Sequence, residues 1–526
     1  MKKIYSFLTI LLLIFSLSSM NGLENDENEI NIEEILTQNL DLLDKNDNSL
    51  NFKDGEYVIF AENDQEFEFL SNIENINKIY RNIKAIKIDL NYEKYEELNG
   101  KFKDIYPSEL FLTKQLNQVY DQRMINKGSM MIDSAADVDK LNVKPLWDLG
   151  YNGTGVVVAI LDNGVDFTHP ALVSAKEASF DISPSDSSPC KDHGTPVGGS
   201  VAARAVSGYE DAVGTAPGAK LFSLEAGCGE IDGQGVTYFD QLEAFEIIFE
   251  YNATIDIVNT SLGSSARTNE LFNRFVSQLD DLNITLVGSA GNNGDEGERS
   301  IYAGYGNTVW GISVAASTYS DKKAQFSSFG PGYGFNQKPD VIAPGVDVLA
   351  VQTMGASQGQ GMVYIDGTSF ASPTTAGALA TLLSALREKG YETNPGLLKA
   401  ALMRGASPIT NNFNTEGFGL PNIQDSMNLV DNLEVAGDGV PRIVEITPKV
   451  GPVGLINYIP QNAVTDIVYT LISSHPMDTN FTFGGGLEGI ATVEPLVDDY
   501  SQYMKIKVDT NGKTENSVIS GTITAI

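Results

Sequence analysis

At 526 residues and 42% hydrophobic content, the chain has room for about three domains and too much apolar material for wholesale disorder. Its formal net charge of −34 argues against a nucleic-acid partner, which needs a basic surface, and against anionic membranes. Lys2 and Lys3 precede an apolar run of 14 residues, IYSFLTILLLIFSL, and then Ser18, Ser19 and Gly22. That is the layout of a secretory signal peptide over 1–22 rather than a membrane anchor. A spanning helix needs about 20 apolar residues, and no later stretch reaches that length. The mature protein is therefore expected to be soluble and exported. Cys190 and Cys228 fit an oxidising compartment and a single disulfide.

Residues 23–56 are polar, rich in Asn, Asp and Glu, and expected to be poorly ordered. Residues 57–112 read as a small α+β module. Its expected elements are a strand at YVIFA, a helix over 68–80, a strand at IKAIKIDL, a short helix ending at Gly100 and a last strand at ELFLTK. Residues 113–136 have no period and read as a linker. From 137 to 432 the pattern changes to strands alternating with helices. GVVVAILD, AKLFSLE, IDIVNTS, ITLVGSAG and VWGISVAA are apolar runs fit for strands buried on both faces. TYFDQLEAFEIIFEY and ELFNRFVSQLDDL are helical. The expected fold is α/β, a doubly wound, mostly parallel sheet that reacts at the carboxyl ends of its strands. Residues 435–526 read as a small all-β region.

Three stretches carry chemistry. Asp162 ends a buried strand in VAILDNGVDFTHPAL, where Asp-Asn-Gly is also an ordinary turn. His193 opens a small-residue helix in HGTPVGGSVAA, where it reads equally as a cap or a surface histidine. Only His169, His193 and His475 are available as a base near neutral pH. Ser369 stands at a helix start in DGTSFASPTTAG, a place that usually means a cap. Together they supply a nucleophile, a base to take its proton and a carboxylate to orient the base.

These motifs resemble those of subtilisin-type serine proteases. The order Asp, His, Ser, with spacings of 31 and 176 residues, fits that family, as do GYNGTGV and APG at 343–345. The resemblance covers roughly residues 137–430 and implies a secreted endopeptidase using Asp162, His193 and Ser369. VGSAGNNG places the oxyanion-hole donor on Asn292, beside the Ser369 backbone N–H. Ser261, Leu262 and Gly263 would pair with an extended peptide, and Ser289, Ala290 and Gly291 would form the facing pocket wall. The α+β module is similar to the family's propeptide. That implies a zymogen whose own N-terminal segment is chaperone and inhibitor, cut off by the enzyme within 113–136. Polypeptides are the implied substrates, the expected state is a monomer, and catalysis needs no cofactor.

The chain departs from the family in two places. Pro196 replaces a second histidine, a change that the first turn of a helix tolerates. Ala171 replaces an aspartate that would bind a structural calcium, so that site is expected to be altered, with a Cys190–Cys228 disulfide bracing the region instead. A catalytically silent binding protein on the same scaffold is the alternative, which the intact Asp162, His193, Ser369 and Asn292 oppose. A lipase or esterase would need Gly-x-Ser-x-Gly and the order Ser, Asp, His, which the chain lacks.

Overall fold

The computed structural model describes residues 55–99, 101–102, 105–107, 136–182, 191–227, 238–263, 270–302, 304–308, 310–332, 338–354, 361–391, 393–410 and 412–436, and the backbone of six C-terminal strands between 443 and 525. The chain divides into two compact units: residues up to Gly55 together with Leu90–Lys101 in one, and Glu56–Asp89 with the chain from Phe102 onward in the other. The signal-peptide segment 1–22, nearly all of 23–56, the linker up to 135 and both cysteines lie outside the described residues. Among the described residues there is no disulfide for the Cys190–Cys228 expectation to rest on, and no helix is long and apolar enough to cross a membrane.

The first elements are β1 (Gly55–Phe60), α1 (Asp64–Ser71), β2 (Ile76–Tyr80), β3 (Ala85–Leu90), α2 (Tyr92–Asn99) and β4 (Ile105–Pro107), with the strands in the order β2-β3-β1-β4. The single helix expected over 68–80 is in fact two elements. Asn63 caps α1 by accepting the Glu66 N–H, and the helix stops at Asn72. Asn75 then takes a φ of 67°, and Ile76–Tyr80 pairs antiparallel with β3. Ladder pairing overrides the helical spacing of the apolar residues. The strand expected at ELFLTK falls outside the described residues, and the last strand of this sheet is β4, a few residues earlier.

Short helices α3 (Ala136–Lys140) and α4 (Lys144–Asp148) lead into β5 (Val157–Asp162), β6 (Lys176–Asp181), α5 (Gly194–Ala202), β7 (Lys220–Glu225), α6 (Tyr238–Glu250), β8 (Ile257–Thr260), α7 (Glu270–Asp281), β9 (Thr285–Ser289), β10 (Ile312–Ser317) and β11 (Val341–Pro344). A hairpin, β12 (Val348–Val351) with β13 (Met362–Ile365), precedes α8 (Thr368–Glu388), α9 (Pro395–Arg404), α10 (Phe413–Glu416) and α11 (Ile423–Ala436). Seven strands pair in parallel in the order β11-β10-β9-β8-β5-β7-β6. Strand alternation explains the two layers. Val158 and Ile160 pack with Val197, Val201 and Phe370 on one face, and Ala159 and Leu161 pack with Leu242, Phe245 and Phe275 on the other. The order turns at β5: the chain runs through β6 and β7 on one side, then through β8 to β11 on the other. Such a switch point opens a crevice at the carboxyl ends of β5 and β8.

The N-terminal sheet shares the second of these cores. Val58, Phe60, Tyr80 and Ile83 belong to the same apolar cluster as Phe245 and Phe275. Phe60 meets Phe275 edge-on at 5.9 Å, and the Glu246 carboxylate accepts the backbone N–H groups of Arg81, Asn82 and Ile83 at 2.8–3.2 Å. The C-terminal strands are β14 (Ile443–Pro448), β15 (Val464–Ser473), β16 (Phe481–Gly485), β17 (Ala491–Val497), β18 (Ser501–Asp509) and β19 (Gly521–Ala525). They form antiparallel ladders β14-β15-β18-β17 and β16-β19, as the all-β reading of this region expects.

α3 fastens the start of this α/β region. Val138, Leu141 and Val143 are buried, and Asp137 accepts the Tyr319 hydroxyl hydrogen bond in a buried setting. Burial pushes the Asp137 carboxyl up to about 7, against a weaker lowering by Tyr319. A carboxyl raised on folding favours the native state below its unfolded pKa of about 4, and that contribution is lost as pH rises through the folded value. The contribution of this group to stability should therefore fall between about pH 4 and 7 and level off above that. Asp137→Asn should flatten that decline. Thermal midpoints of the two proteins across this range, each in the Ser369→Ala background, would check it.

Candidate active site

Asp162 ends β5, fully buried, with its oxygens 2.7 and 2.9 Å from His193 Nδ1. An ionised carboxylate only accepts, so Nδ1 carries the hydrogen and Nε2 is left as the base. Asp162 Oδ1 also accepts the Asn163 N–H at 2.8 Å, which fixes the carboxylate plane. His193 precedes the first turn of α5 but makes no side-chain cap. Asn163 does that work, its Oδ1 accepting the Gly194 N–H at 2.7 Å while its Nδ2 donates to Asp192 Oδ1 at 2.8 Å. The cap and surface readings of His193 both give way, since the residue is 1% exposed and its ring is turned to Asp162.

Glycine makes this approach possible. A Cβ on Gly194 would lie 2.2 Å from the Gly164 carbonyl oxygen. Gly164 itself has a φ of 97°, in the left-handed region that favours glycine. Pro196 sits in the first turn of α5, where its missing N–H has no intrahelical partner to lose, and the helix forms as expected.

Ser369 is the second residue of α8, and Gly367, with a φ of 150°, occupies the cap position. The cap reading of Ser369 therefore does not hold. Pro373 lies one turn further on and lacks the N–H that would bond the Ser369 carbonyl. The Ser261 hydroxyl supplies that bond at 2.9 Å. Ser261 thus spends its side chain on the helix. Phe370, next in the chain, packs its ring 5.6 Å from the His193 ring, so the start of α8 lies against the Asp162–His193 pair.

Asn292 follows β9. Its Oδ1 accepts both the Thr368 N–H at 3.0 Å and the Thr368 hydroxyl at 2.8 Å. With the oxygen end fixed, the two amide donors lie on the opposite side of the group. The two expected substrate walls lie at the carboxyl ends of neighbouring parallel strands, β8 and β9. Ser261, Leu262, Ser289 and Ala290 are each buried, and Gly291 donates to Thr368 Oγ1 at 3.3 Å. Gly304 and Asn307 sit between the walls: Asn307 Nδ2 reaches the Ala290 carbonyl at 3.5 Å, and a Cβ on Gly304 would lie 3.5 Å from the Leu262 carbonyl. Neither was legible as a pocket residue in sequence.

Of the other histidines, His169 has both ring nitrogens engaged. Nδ1 accepts the Ala171 N–H at 3.2 Å, so Nε2 carries the hydrogen that meets the Gly361 carbonyl at 2.9 Å. Burial holds its pKa below the usual range. His475 lies outside the described residues. Around Ala171, the position that departs from the family's calcium ligand, the carbonyl groups are taken up by Arg204. Ala171 is buried, its carbonyl accepts the Arg204 N–H, and the Arg204 guanidinium bonds the carbonyls of Ala202 and Ala219.

Residues 153–424, more than half of the chain, match the Subtilase family, and the chain belongs to that family. A thermophilic serine proteinase of Bacillus sp. (strain AK1) is 32% identical over 240 residues, 45% of this chain and 54% of that one. Subtilisin NAT of Bacillus subtilis subsp. natto is 32% identical over 253 residues, 47% of this chain and 60% of that one. An intracellular serine protease of Paenibacillus polymyxa is 30% identical over 315 residues, 57% of this chain and 89% of that one. The matched part of the chain thus spans little more than half the length of the first two relatives.

Gly194→Ala should separate α5 from the loop after β5. Overpacking of this kind destabilises by about 1–3 kcal/mol. Denaturant unfolding in the Ser369→Ala background should report a loss in that range, and an unchanged midpoint would contradict the close approach.

Proposed function

We propose that the protein is a secreted serine endopeptidase, made as a zymogen, that hydrolyses polypeptides through an acyl-enzyme. The observation that carries this reading is the Asp162–His193 Nδ1 pair lying against the first turn of the helix that begins with Thr368 and Ser369. Ser369 Oγ attacks the scissile carbonyl carbon as His193 Nε2 takes its proton, and Asp162 stabilises the imidazolium. The Asn292 amide and the Ser369 N–H then donate to the oxyanion. Collapse breaks the C–N bond, and the imidazolium proton goes to the leaving amine. Water, deprotonated by the same imidazole, cleaves the ester and returns Ser369 to its starting state. Side chains and backbone supply every step, so the chemistry calls for no cofactor.

The substrate would lie extended along Ser261–Gly263, with a side chain between that segment and Ser289–Gly291. The sheet at the N-terminus is the inhibitory propeptide in this reading. Its shared core with Phe245 and Phe275 and its three N–H bonds to Glu246 support stable docking after cleavage. Residues 1–22 would direct export, and the mature enzyme would act as a monomer. The intact Asp162, His193, Ser369 and Asn292 weigh against the silent-scaffold alternative.

Wild type should lose its N-terminal segment by intact mass and cleave a peptide substrate. Ser369→Ala should stay full length and inactive. Asn292→Ala should keep its fold and lose about 10²–10³ in kcat, a range that rests on subtilisin's own asparagine donor. A Ser369→Ala protein that still processes itself would overturn the reading.

A further inference from the structure

The reaction proposed above runs through Asp162, and β7 brings a second carboxylate beside it. Paired residues of neighbouring parallel strands point to the same face, and Asp162 is paired with Glu225. Alternate residues of β7 confirm the direction. Leu221 lies against Gly198 of α5, and Ser223 Oγ accepts the Val165 N–H at 3.0 Å. The Glu225 carboxyl meets Gly164, where a Cβ would lie 2.7 Å from it. Glu225 therefore abuts the same glycine that meets Gly194 beside His193.

Glu225 is 8% exposed, and its cationic neighbour is Lys191, whose Nζ stands 3.6 Å away. Lys191 precedes His193 by two residues and holds a φ of 46°, a left-handed conformation that a side chain adopts at some cost. On the far side, Asp181 at the end of β6 pairs with Glu225 and adds a like charge. The charges acting on Glu225 are thus Lys191 from the loop before α5 and Asp181 from β6, with Asp162 its ladder partner on β5; on the histidine's side, Asp192 adjoins His193 and accepts from Asn163.

We propose that Glu225 and Lys191 are positioning residues that set the charge balance around the Asp162–His193 pair, Glu225 favouring the imidazolium and Lys191 opposing it. The inference rests on the protease reading. Neither residue needs to touch substrate, because each acts through His193. Burial raises the Glu225 carboxyl, Lys191 counters that, and Asp181 adds to it. Lys191 thereby favours the ionised carboxylate that the balance requires at neutral pH.

The test is the acid limb of kcat/KM on a peptide substrate, for the full chain as wild type, Glu225→Gln, Lys191→Met and the double variant. By Coulomb's law a unit charge roughly 8 Å from any titrating group, at an effective dielectric of several tens, moves its titration by about half a pH unit. Glu225→Gln should shift the limb down by about that much and Lys191→Met should shift it up. The double variant should fall between them. A merely structural role would change kcat or stability and leave the limb in place. Active variants with an unmoved limb, or two shifts of the same sign, would overturn the proposal. Should Glu225→Gln fail to fold, the upward shift of Lys191→Met decides alone. A wild type with no activity would instead remove the protease reading itself.

Discussion

The contact between Gly164 and Gly194 is the constraint on which the rest depends. The main chain after β5 comes so close to the start of α5 that a single Cβ on Gly194 would stand 2.2 Å from the Gly164 carbonyl. Without that approach a strand-end carboxylate and a helix-start imidazole, 31 residues apart, would not meet. Asn163 reinforces it by capping α5 in place of the histidine. An N-cap of this kind contributes about 1 kcal/mol, and here it also leaves the imidazole available to Asp162.

A second set of bonds ties the remaining groups to the same frame. Pro373 leaves the Ser369 carbonyl without its helical donor, and the Ser261 hydroxyl replaces it. Thr368 holds the Asn292 amide through its N–H and its hydroxyl. Residues after β8, after β9 and at the head of α8 are thereby linked side by side at the switch point of the sheet. Rigid positioning of this sort is what electrostatic stabilisation of a transition state needs, since the donors must be aimed before charge develops.

Much of this was legible in the sequence for a physical reason. Strands buried on both faces must be apolar throughout, so β5, β7, β8, β9 and β10 stood out as runs. Asp162, His193 and Ser369 stood out because close main-chain approaches demand glycine beside them. Elements set by pairing were harder to read. Ile76–Tyr80 carries helical spacing and becomes a strand only because β3 lies next to it. Glu225 looked like the ordinary end of a strand, and only the ladder register with β5 places it beside Asp162. The side-chain tasks of Asn163 and Ser261 depend on which helix end each one meets, and the cap alternative for Ser369 falls away only because Gly367 occupies that position.

The most direct measurement of the central claim is the proton NMR spectrum of full-length protein carrying Ser369→Ala, which keeps the Asp162–His193 pair and prevents self-cleavage. The account predicts a far-downfield imidazole Nδ1 proton that disappears when Asp162→Ala is added, with the fold intact by circular dichroism. A folded protein with no such resonance, or one that survives Asp162→Ala, would contradict the pairing on which the site is built.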